Sequence, residues 1–164
     1  LTAKDSRYQE IFQKIPEIIT GYLMVKQTEN SPEYLSSLEF SVRDYECDLQ
    51  GVVNNANYQH YLEHARHEFL LSKGISFSRL HDEGTDLIIT RVEIDYKYPL
   101  RSRDRFIIRT AVRREGYIRL VFIQDIFRLP DEKLIVRANI TSAATRDGKP
   151  SRPDEILRML NLQK

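Results

Sequence analysis

Cysteine is nearly absent from this chain, since Cys47 is the only one in 164 residues. A single thiol excludes an internal disulfide framework and any cysteine-based zinc site within one chain, and it fits a reducing compartment. No apolar run approaches the ~18 residues that a membrane span needs. The first residues, LTAKDSR, lack the apolar stretch of a signal peptide, although a start at Leu1 leaves a removed leader open. The expected location is therefore the cytoplasm, with no membrane span.

An excess of charge of one sign is missing as well. Lys and Arg number 25 and Asp and Glu 24, which gives a net charge of +1. Proteins that bind nucleic acid through phosphate contacts normally have a clear basic excess, so no nucleic-acid partner is expected. Hydrophobic residues make up 41% and charged residues 30%, as in an ordinary globular domain. The length fits one such domain.

The chain divides into two zones. Residues 1–35 are predicted to form an N-terminal extension, with a short amphipathic piece up to Pro16 and a polar stretch, QTENSPEY, behind it. This zone is too short to be a domain, and its pattern indicates no particular role. Residues 36–164 are predicted to form the folded domain.

Hydrophobic periodicity predicts the elements of that domain. The stretch LEFSVRDY alternates apolar and polar residues, as a half-buried strand does, and residues 57–73 then switch to a helical period. Asn55 or Asn57 is the candidate cap of this helix, and Gly74 is expected to end it. After the helix the chain is almost all strand, with alternating runs at residues 92–98, 106–112, 118–122 and 134–140, and a short closing helix over 153–162.

One helix flanked by five strands can bury its apolar face only if the sheet curls around it. The predicted fold class is therefore α+β, with a long central helix wrapped by a five-stranded antiparallel sheet. Strands of ten residues extend about 33 Å and leave long open edges. Pairing of such edges between two subunits hides them most simply, so a homodimer is expected.

The densest polar cluster covers residues 44–66, DYECDLQGVVNNANYQHYLEHAR. It places a carboxylate, Asp48, on a loop just ahead of a helix start, with Gly51 between them to allow close backbone approach. Unpaired N–H groups at a helix N-terminus can hold a developing oxyanion, and a nearby carboxylate can act as base or nucleophile on a carbonyl. The alternative, that Asp48 and Asn55 only cap a turn and the helix, stays open at this point.

This cluster is similar to the 4-hydroxybenzoyl-CoA thioesterase family of hotdog-fold proteins. The stretch RDYECDLQGVVNNANY…HARHEFL especially resembles plant acyl-lipid and acyl-ACP thioesterases and their bacterial relatives. The resemblance covers residues 37–152 and includes the segment YPLR at 98–101. The residues that carry it are Asp48, Gly51, Val52, Val53, Asn57, Tyr58, Glu63 and Arg66.

The resemblance implies an acyl thioesterase that hydrolyses acyl-CoA or acyl-carrier-protein (ACP) thioesters, as a homodimer or a dimer of dimers. Asp48 would be the catalytic nucleophile or base, and a backbone N–H at about Asn55 would polarise the carbonyl. Tyr58 and its helix face would line an acyl tunnel completed by the second subunit. No metal and no cofactor are implied. The further oxyanion or substrate-binding candidates are Gly51, Val53, Asn54 and Glu63.

The sequence departs from the family at two positions. Many bacterial members carry Tyr-His where this chain has Asn54-Asn55, and plant acyl-ACP enzymes carry a His where this chain has Val52. A helping imidazole is therefore missing. The carboxylate is expected to work alone or with Asn55. Because dehydratases of this fold use an active-site His, the lack of one between Asp44 and Gln59 argues against that class.

Several other residues have a structural and a functional interpretation. For Glu63, an ion pair with Arg66 that orients the helix is favoured over catalysis. His60, His64 and His67 have metal-like spacing, but we expect a solvated face or a subunit contact. Cys47 has no His near it in sequence and is not favoured as a nucleophile.

Two basic residues after the last strand, Arg146 and Lys149, are candidate contacts for a CoA phosphate. The alternative to an enzyme is a non-catalytic acyl-thioester-binding or structural hotdog dimer.

Overall fold

A computed structural model describes residues 32–162 of the chain. Most of the predicted extension, residues 1–35, lies outside this range, so the amphipathic piece before Pro16 is not described. Within it, a 3₁₀ turn covers Asp44–Glu46, and the helices are α1 (Asn55–Ser72), α2 (Phe77–Asp82) and α3 (Asp154–Met159). The strands are β1 (Ser36–Ser41), β2 (Thr85–Tyr96), β3 (Arg105–Glu115), β4 (Arg119–Leu129), β5 (Lys133–Arg146) and β6 (Lys149–Pro150).

The strands form one antiparallel sheet in the order β1-β3-β4-β5-β2, with the two-residue β6 added to β5. Tight turns join β3 to β4 and β4 to β5, as the alternating sequence predicts. Strands β1 and β2 stand at the two ends of this strand order and are therefore the edge strands of the sheet. The predicted five-strand sheet is confirmed, with β6 as a short addition.

Helix α1 packs on one face of this sheet. Its 18 residues extend about 27 Å. The apolar residues of one helix face are buried against sheet residues such as Phe106, Phe122 and Ile140. The buried helix residues are Tyr58, Tyr61, Leu62, Ala65, Phe69 and Leu70.

The ends of α1 follow local chemistry. The cap is Asn54, whose side chain accepts a hydrogen bond from the Ala56 amide at 3.0 Å. The expectation that Asn55 or Asn57 caps the helix is therefore wrong by one residue or more. Gly74 follows the helix at φ +76°, a left-handed conformation that favours glycine, and so ends α1 as expected.

Helix α2 is a second difference from the sequence expectation, which had almost only strand after α1. It has six residues, and its N-cap is Ser76, whose hydroxyl accepts from the Arg79 amide at 3.4 Å. Strand β2 then begins at Thr85, earlier than the clear alternation at 92–98. Leu80 is the buried residue that joins α2 to the core.

The edge strand β2 is unusually exposed for its composition. Ile88, Ile89, Val92 and Tyr96 each leave between 43% and 51% of their surface accessible, although Val92 and Tyr96 lie on the same sheet face as α1. Exposed apolar surface along an open strand edge is typical of a subunit interface.

No helix within residues 32–162 is both long and apolar enough to cross a bilayer.

Candidate active site

Asp48 lies in a tight turn between β1 and α1. Its amide donates to the Val52 carbonyl at 2.9 Å, and the Gly51 amide donates back to the Asp48 carbonyl at 3.0 Å. Gly51 has φ +71°, a conformation that most other residues avoid, so this glycine is required by the turn itself. The flanks of the turn, Cys47 and Val53, form an antiparallel bridge. The turn is therefore fixed directly ahead of the start of α1.

The two oxygens of the half-buried Asp48 carboxylate differ in their contacts. Oδ1 accepts from the Gln50 amide at 2.8 Å and has a long contact, 3.5 Å, to the Val52 amide. Oδ2 forms no hydrogen bond with any residue of the range 32–162. The turn-capping interpretation is thus correct for one oxygen, and the other oxygen remains available.

The start of α1 presents backbone N–H groups. The Ala56 amide is satisfied by the Asn54 side chain, and the Asn57 amide donates to the Asn54 carbonyl at 2.9 Å. The Asn55 amide has no acceptor in the part of the chain that the structure describes. It lies at the positive end of the helix, where a developing negative charge is stabilised. The family resemblance implies that the N–H which polarises a carbonyl lies at about this position.

An open groove of about 260 Å³ lies beside this helix start. The Tyr58 hydroxyl accepts from the Leu100 amide at 3.0 Å, and burial raises the pKa of Tyr58. Tyr96 donates to the Asn55 carbonyl at 3.3 Å and packs edge-on against Tyr58. Asp48 is not one of the residues that line the groove. The groove is lined by Val53, Asn55, Tyr58, Tyr96, Lys97, Tyr98 and Pro99.

Glu46 is a site residue that the sequence did not reveal. Its side chain is buried, and its Oε2 accepts from the Arg43 amide at 2.7 Å and from the Tyr61 hydroxyl at 2.6 Å. Its carbonyl accepts from the Asn54 amide at 2.9 Å and from Asn57 Nδ2 at 2.7 Å. Glu46 therefore joins the Asp48 loop to α1.

Tyr61 is the helix side of this anchor. Burial, followed by the hydrogen bond to Glu46, raises the pKa of Tyr61 well above its usual range. The phenol therefore stays protonated and donates. The spacing of three residues from Tyr58 is the sequence signal that places Tyr61 near the same helix face, but it does not say which carboxylate it meets.

Glu63 and Arg66 do not form the expected ion pair. Arg66 donates to Gln124 Oε1 at 2.9 Å, and Gln124 Nε2 donates to the Leu62 carbonyl at 3.0 Å. Burial lowers the pKa of Arg66, and the Glu63 charge only partly opposes this. The exposed Glu63 is beyond ion-pair distance, so the residue that orients the helix on the sheet with Arg66 is Gln124. The predicted Glu63–Arg66 pair is wrong on this point.

The three histidines of α1 are exposed, and two of them contact aromatic rings. His64 packs on Phe40, with ring centroids 5.8 Å apart, and His67 packs on Phe77 at 4.7 Å. His60 and His64 line a groove of about 700 Å³ between α1 and β1. Within residues 32–162, no three His, Cys, Asp or Glu side chains come together as a metal site.

The remaining candidates lie apart from the groove. Cys47 is half-buried at the edge of the core. Arg146 is the last residue of β5 and lines a separate cavity. Lys149, opposite Arg146 on β6, is exposed and does not line that cavity.

Comparison with known proteins agrees with this architecture. Residues 42–160 match the family described as the thioesterase-like superfamily. The chain is 42% identical over 105 residues to acyl-acyl carrier protein thioesterase ATL2, chloroplastic, of Arabidopsis thaliana, over 64% of this chain and 56% of that protein.

Solved structures give the same result for the fold. A hypothetical protein from Aquifex aeolicus superposes with a TM-score of 0.71 and 30% identity, over 76% of this chain and 98% of its own. A 1,4-dihydroxy-2-naphthoyl-CoA thioesterase from Synechocystis superposes with a TM-score of 0.72, over 76% of this chain and 94% of its own, but at 18% identity it supports the fold alone.

The fold is therefore the predicted hotdog fold, a helix wrapped by an antiparallel sheet. The chain belongs to the thioesterase-like superfamily. It spans about half the length of the first curated relatives that it matches, 56% and 53% of the two.

Proposed function

We propose that this protein is an acyl thioesterase, in which Asp48 is the catalytic carboxylate and the Asn55 amide polarises the thioester carbonyl. One observation carries the proposal. Among residues 32–162, a carboxylate with one oxygen free of hydrogen bonds is fixed in a turn directly ahead of a helix whose first amide has no acceptor. The membership in the superfamily supports the same reaction class.

The chemistry needs only these groups and water. Negative charge grows on the carbonyl oxygen as the carbon becomes tetrahedral, and the Asn55 N–H at the positive end of α1 stabilises that charge. Asp48 either removes a proton from the attacking water or attacks the carbonyl carbon itself. In both routes the C–S bond breaks and the leaving thiolate takes up a proton that comes from water. In the second route water then hydrolyses the anhydride between the acyl group and Asp48, so both routes give a free acid and a thiol.

The groove favours an extended acyl group over a bulky polar one. Its walls are mainly aromatic or apolar, since Tyr58, Tyr96 and Tyr98 line it together with Val53 and Pro99. The other two lining residues are Asn55 and Lys97, and the thioester carbonyl would lie at Asn55. An acyl chain would therefore lie along the tyrosines, with its thioester at the helix start.

The proposed assembly is a homodimer in which β2 of one copy pairs with β2 of the other. Two such dimers could also associate as a dimer of dimers. An open edge of 12 residues with four half-exposed apolar side chains supports pairing of β2 with a second copy. Tyr96 and Tyr98 lie at this edge and in the groove, so the second copy would cover the groove. The cytoplasmic location also stays a prediction, supported by the near absence of cysteine.

The carrier is proposed to be CoA or ACP, and a panel of substrates tests both. Thiol release is measured with acetyl-CoA to palmitoyl-CoA, with benzoyl-CoA, and with the matching acyl-ACPs. We expect hydrolysis with a clear preference for one acyl length. If no ester is hydrolysed on either carrier, while acyl-CoA or acyl-ACP still binds, the enzyme proposal is wrong and the non-catalytic binding alternative replaces it.

A further inference from the structure

The side chain of Tyr96 contacts the start of α1 from the sheet side of the groove. Its hydroxyl donates to the Asn55 carbonyl at 3.3 Å, and its ring packs edge-on against Tyr58, with the ring centroids 5.5 Å apart. All three residues line the groove, and 48% of the Tyr96 surface is accessible. The ring is therefore a wall of the proposed acyl site, and its hydroxyl contacts the residue whose amide would polarise the thioester carbonyl.

The backbone of Tyr96 is held firmly by the sheet. Tyr96 pairs with Val136 on β5, and the next amide, that of Lys97, donates to the Ile135 carbonyl at 2.8 Å. Both β5 residues are completely buried. In contrast, a hydrogen bond of 3.3 Å from the half-exposed hydroxyl is longer than usual and therefore weak. The adjustable part of this contact is the side chain, while the strand beneath it is fixed.

Glu46 holds the same helix start from the loop that precedes it. Its carbonyl accepts from the Asn54 amide at 2.9 Å and from Asn57 Nδ2 at 2.7 Å. Asn55 is thus flanked by two short hydrogen bonds to Glu46 and makes one long hydrogen bond to Tyr96. The direction of the Asn55 N–H depends on the backbone torsions of residues 54 and 55. A stronger contact from Tyr96 would fix these torsions and, with them, the N–H.

We propose that Tyr96 is a positioning residue, through which an acyl group in the groove aligns the Asn55 amide with the thioester carbonyl. The inference rests on the proposed function, because it assigns that amide to the reaction. An acyl chain that lies on the Tyr96 ring restricts its rotation and excludes water from its hydroxyl. The hydrogen bond to Asn55 is then stronger, since the local dielectric constant is lower. Part of the binding energy of the acyl chain therefore increases kcat instead of only lowering KM.

The Tyr96 hydroxyl acts as a donor in this role. Burial raises the pKa of Tyr96 above its usual value, so the phenol stays protonated. The Asn55 carbonyl is an acceptor only, which fixes the direction of the hydrogen bond. Tyr96→Phe removes the donor and keeps the ring that contacts the acyl chain, so this variant isolates the hydrogen bond from acyl binding.

A series of acyl lengths tests the coupling. Wild type and Tyr96→Phe are compared in single-turnover hydrolysis at saturating substrate, with acyl thioesters from acetyl to palmitoyl. We expect the wild-type rate to rise with acyl length until the groove is filled. Tyr96→Phe should lose about 3- to 10-fold on the best long acyl group, with KM nearly unchanged, and almost nothing on the acetyl ester. An equal loss at every length, or no loss at any length, would overturn the proposal.

Two other tyrosines provide the controls. Tyr98 lines the same groove, but its hydroxyl has no hydrogen-bond partner among residues 32–162. Tyr98→Phe should therefore keep the dependence of the rate on acyl length. Tyr117→Phe, at an exposed tyrosine outside the groove, should match wild type throughout. Loss of the length dependence in Tyr98→Phe as well would show that the hydrogen bond to Asn55 is not the cause.

The assembly of the variant is measured in parallel, because Tyr96 lies on the proposed pairing edge. Sedimentation equilibrium at the assay concentration should give the same mass for Tyr96→Phe and wild type, since the change removes one hydroxyl and no apolar surface. A variant that dissociates would assign the hydroxyl to assembly and would overturn the positioning role.

Failure of the proposed function has a different signature. If wild type hydrolyses no thioester, backbone hydrogen exchange of Ala56 and Asn57 still tests the contact, using the non-hydrolysable thioether analogue of palmitoyl-CoA as probe. We expect the analogue to slow exchange at these amides about 3-fold or more in wild type and not in Tyr96→Phe. Equal slowing in both chains, or none in wild type, would overturn the proposal.

Discussion

At the scale of single residues, the candidate site depends on carboxylates with different surroundings. Asp48 caps its own turn with one oxygen, while Glu46 is buried and joins the loop to α1 through hydrogen bonds to both Arg43 and Tyr61. In the part of the chain that the structure describes, the other Asp48 oxygen has no hydrogen bond, and the exposed Glu63 makes no ion pair. Three carboxylates within a stretch of 18 residues therefore have different proposed roles. Asp48 would take part in the reaction, Glu46 positions the loop, and Glu63 faces solvent.

Tyr61→Phe tests the positioning by Glu46. The change removes one donor from a buried carboxylate, so we expect the free energy of unfolding to fall by about 1–3 kcal/mol. The Asp48 loop would also be less fixed, so kcat should fall by about 10-fold with KM nearly unchanged. Steady-state kinetics and urea unfolding measure the two effects. Tyr45→Phe, at an exposed tyrosine of the same loop, is the control and should change neither. A rise in KM alone would contradict a positioning role.

An ion pair between buried Asp125 and half-exposed Arg137, on the other sheet face, gives a stability prediction. Asp125 has no accessible surface, and Arg137 binds both of its oxygens, with Nη2 to Oδ2 at 2.9 Å. Arg137→Met leaves the carboxylate with only the Tyr34 hydroxyl as partner, so we expect a loss of about 3–5 kcal/mol by chemical denaturation. Arg128→Met breaks an exposed pair with Asp131 and should cost less than about 1 kcal/mol. Equal losses would show that burial of Asp125 is not decisive.

At the scale of elements, the cap of α1 gives a matched pair of variants. Asn54→Ala removes the hydrogen bond to the Ala56 amide, so we expect a loss of about 1 kcal/mol in the free energy of unfolding. Asn55→Ala removes no side-chain cap and places a better helix former in the first turn, so stability should hold or rise slightly. Thermal and urea unfolding of both variants measure this. The opposite order would restore Asn55 as the cap.

The elements show which patterns can be read from sequence. The alternation of period two predicts β3, β4 and β5, and the helical period predicts α1, because each long element buries one continuous face. Helix α2 is missed, since six residues with one buried leucine give no period to detect. The first half of β2, TDLIIT, is missed because it does not alternate and owes its conformation to pairing with β5.

The site shows the same limit. The Asp48 turn and the helix start are local, so polar clustering and the resemblance find them together. The Glu46–Tyr61 and Arg66–Gln124 contacts join residues 15 and 58 positions apart, and no spacing rule connects them. Glu63 was paired with Arg66 because they are neighbours on a helix, whereas burial of Arg66 directs it to the sheet.

At the scale of the whole molecule, the proposed pairing through β2 can be tested by charge. In a two-fold antiparallel pair, Val92→Glu places like charges near each other in both copies, so we expect a monomer in sedimentation equilibrium. Because the second copy would cover the groove, thioesterase activity should fall as the dimer dissociates. Tyr117→Glu, at an exposed tyrosine on the β3–β4 turn, is the control and should leave the mass unchanged. A Val92→Glu dimer of unchanged affinity would contradict pairing through β2.

The most direct test of the account is the ratio of kcat/KM between wild type and Asp48→Asn on the best acyl thioester, with Glu63→Gln in parallel. Asn keeps the shape of the turn and its hydrogen-bond acceptor but cannot act as base or nucleophile. We predict a loss on the order of 10² or more for Asp48→Asn and a small change for Glu63→Gln. An Asp48→Asn enzyme with wild-type activity would contradict the account, and a large loss in Glu63→Gln alone would move the catalytic carboxylate onto α1.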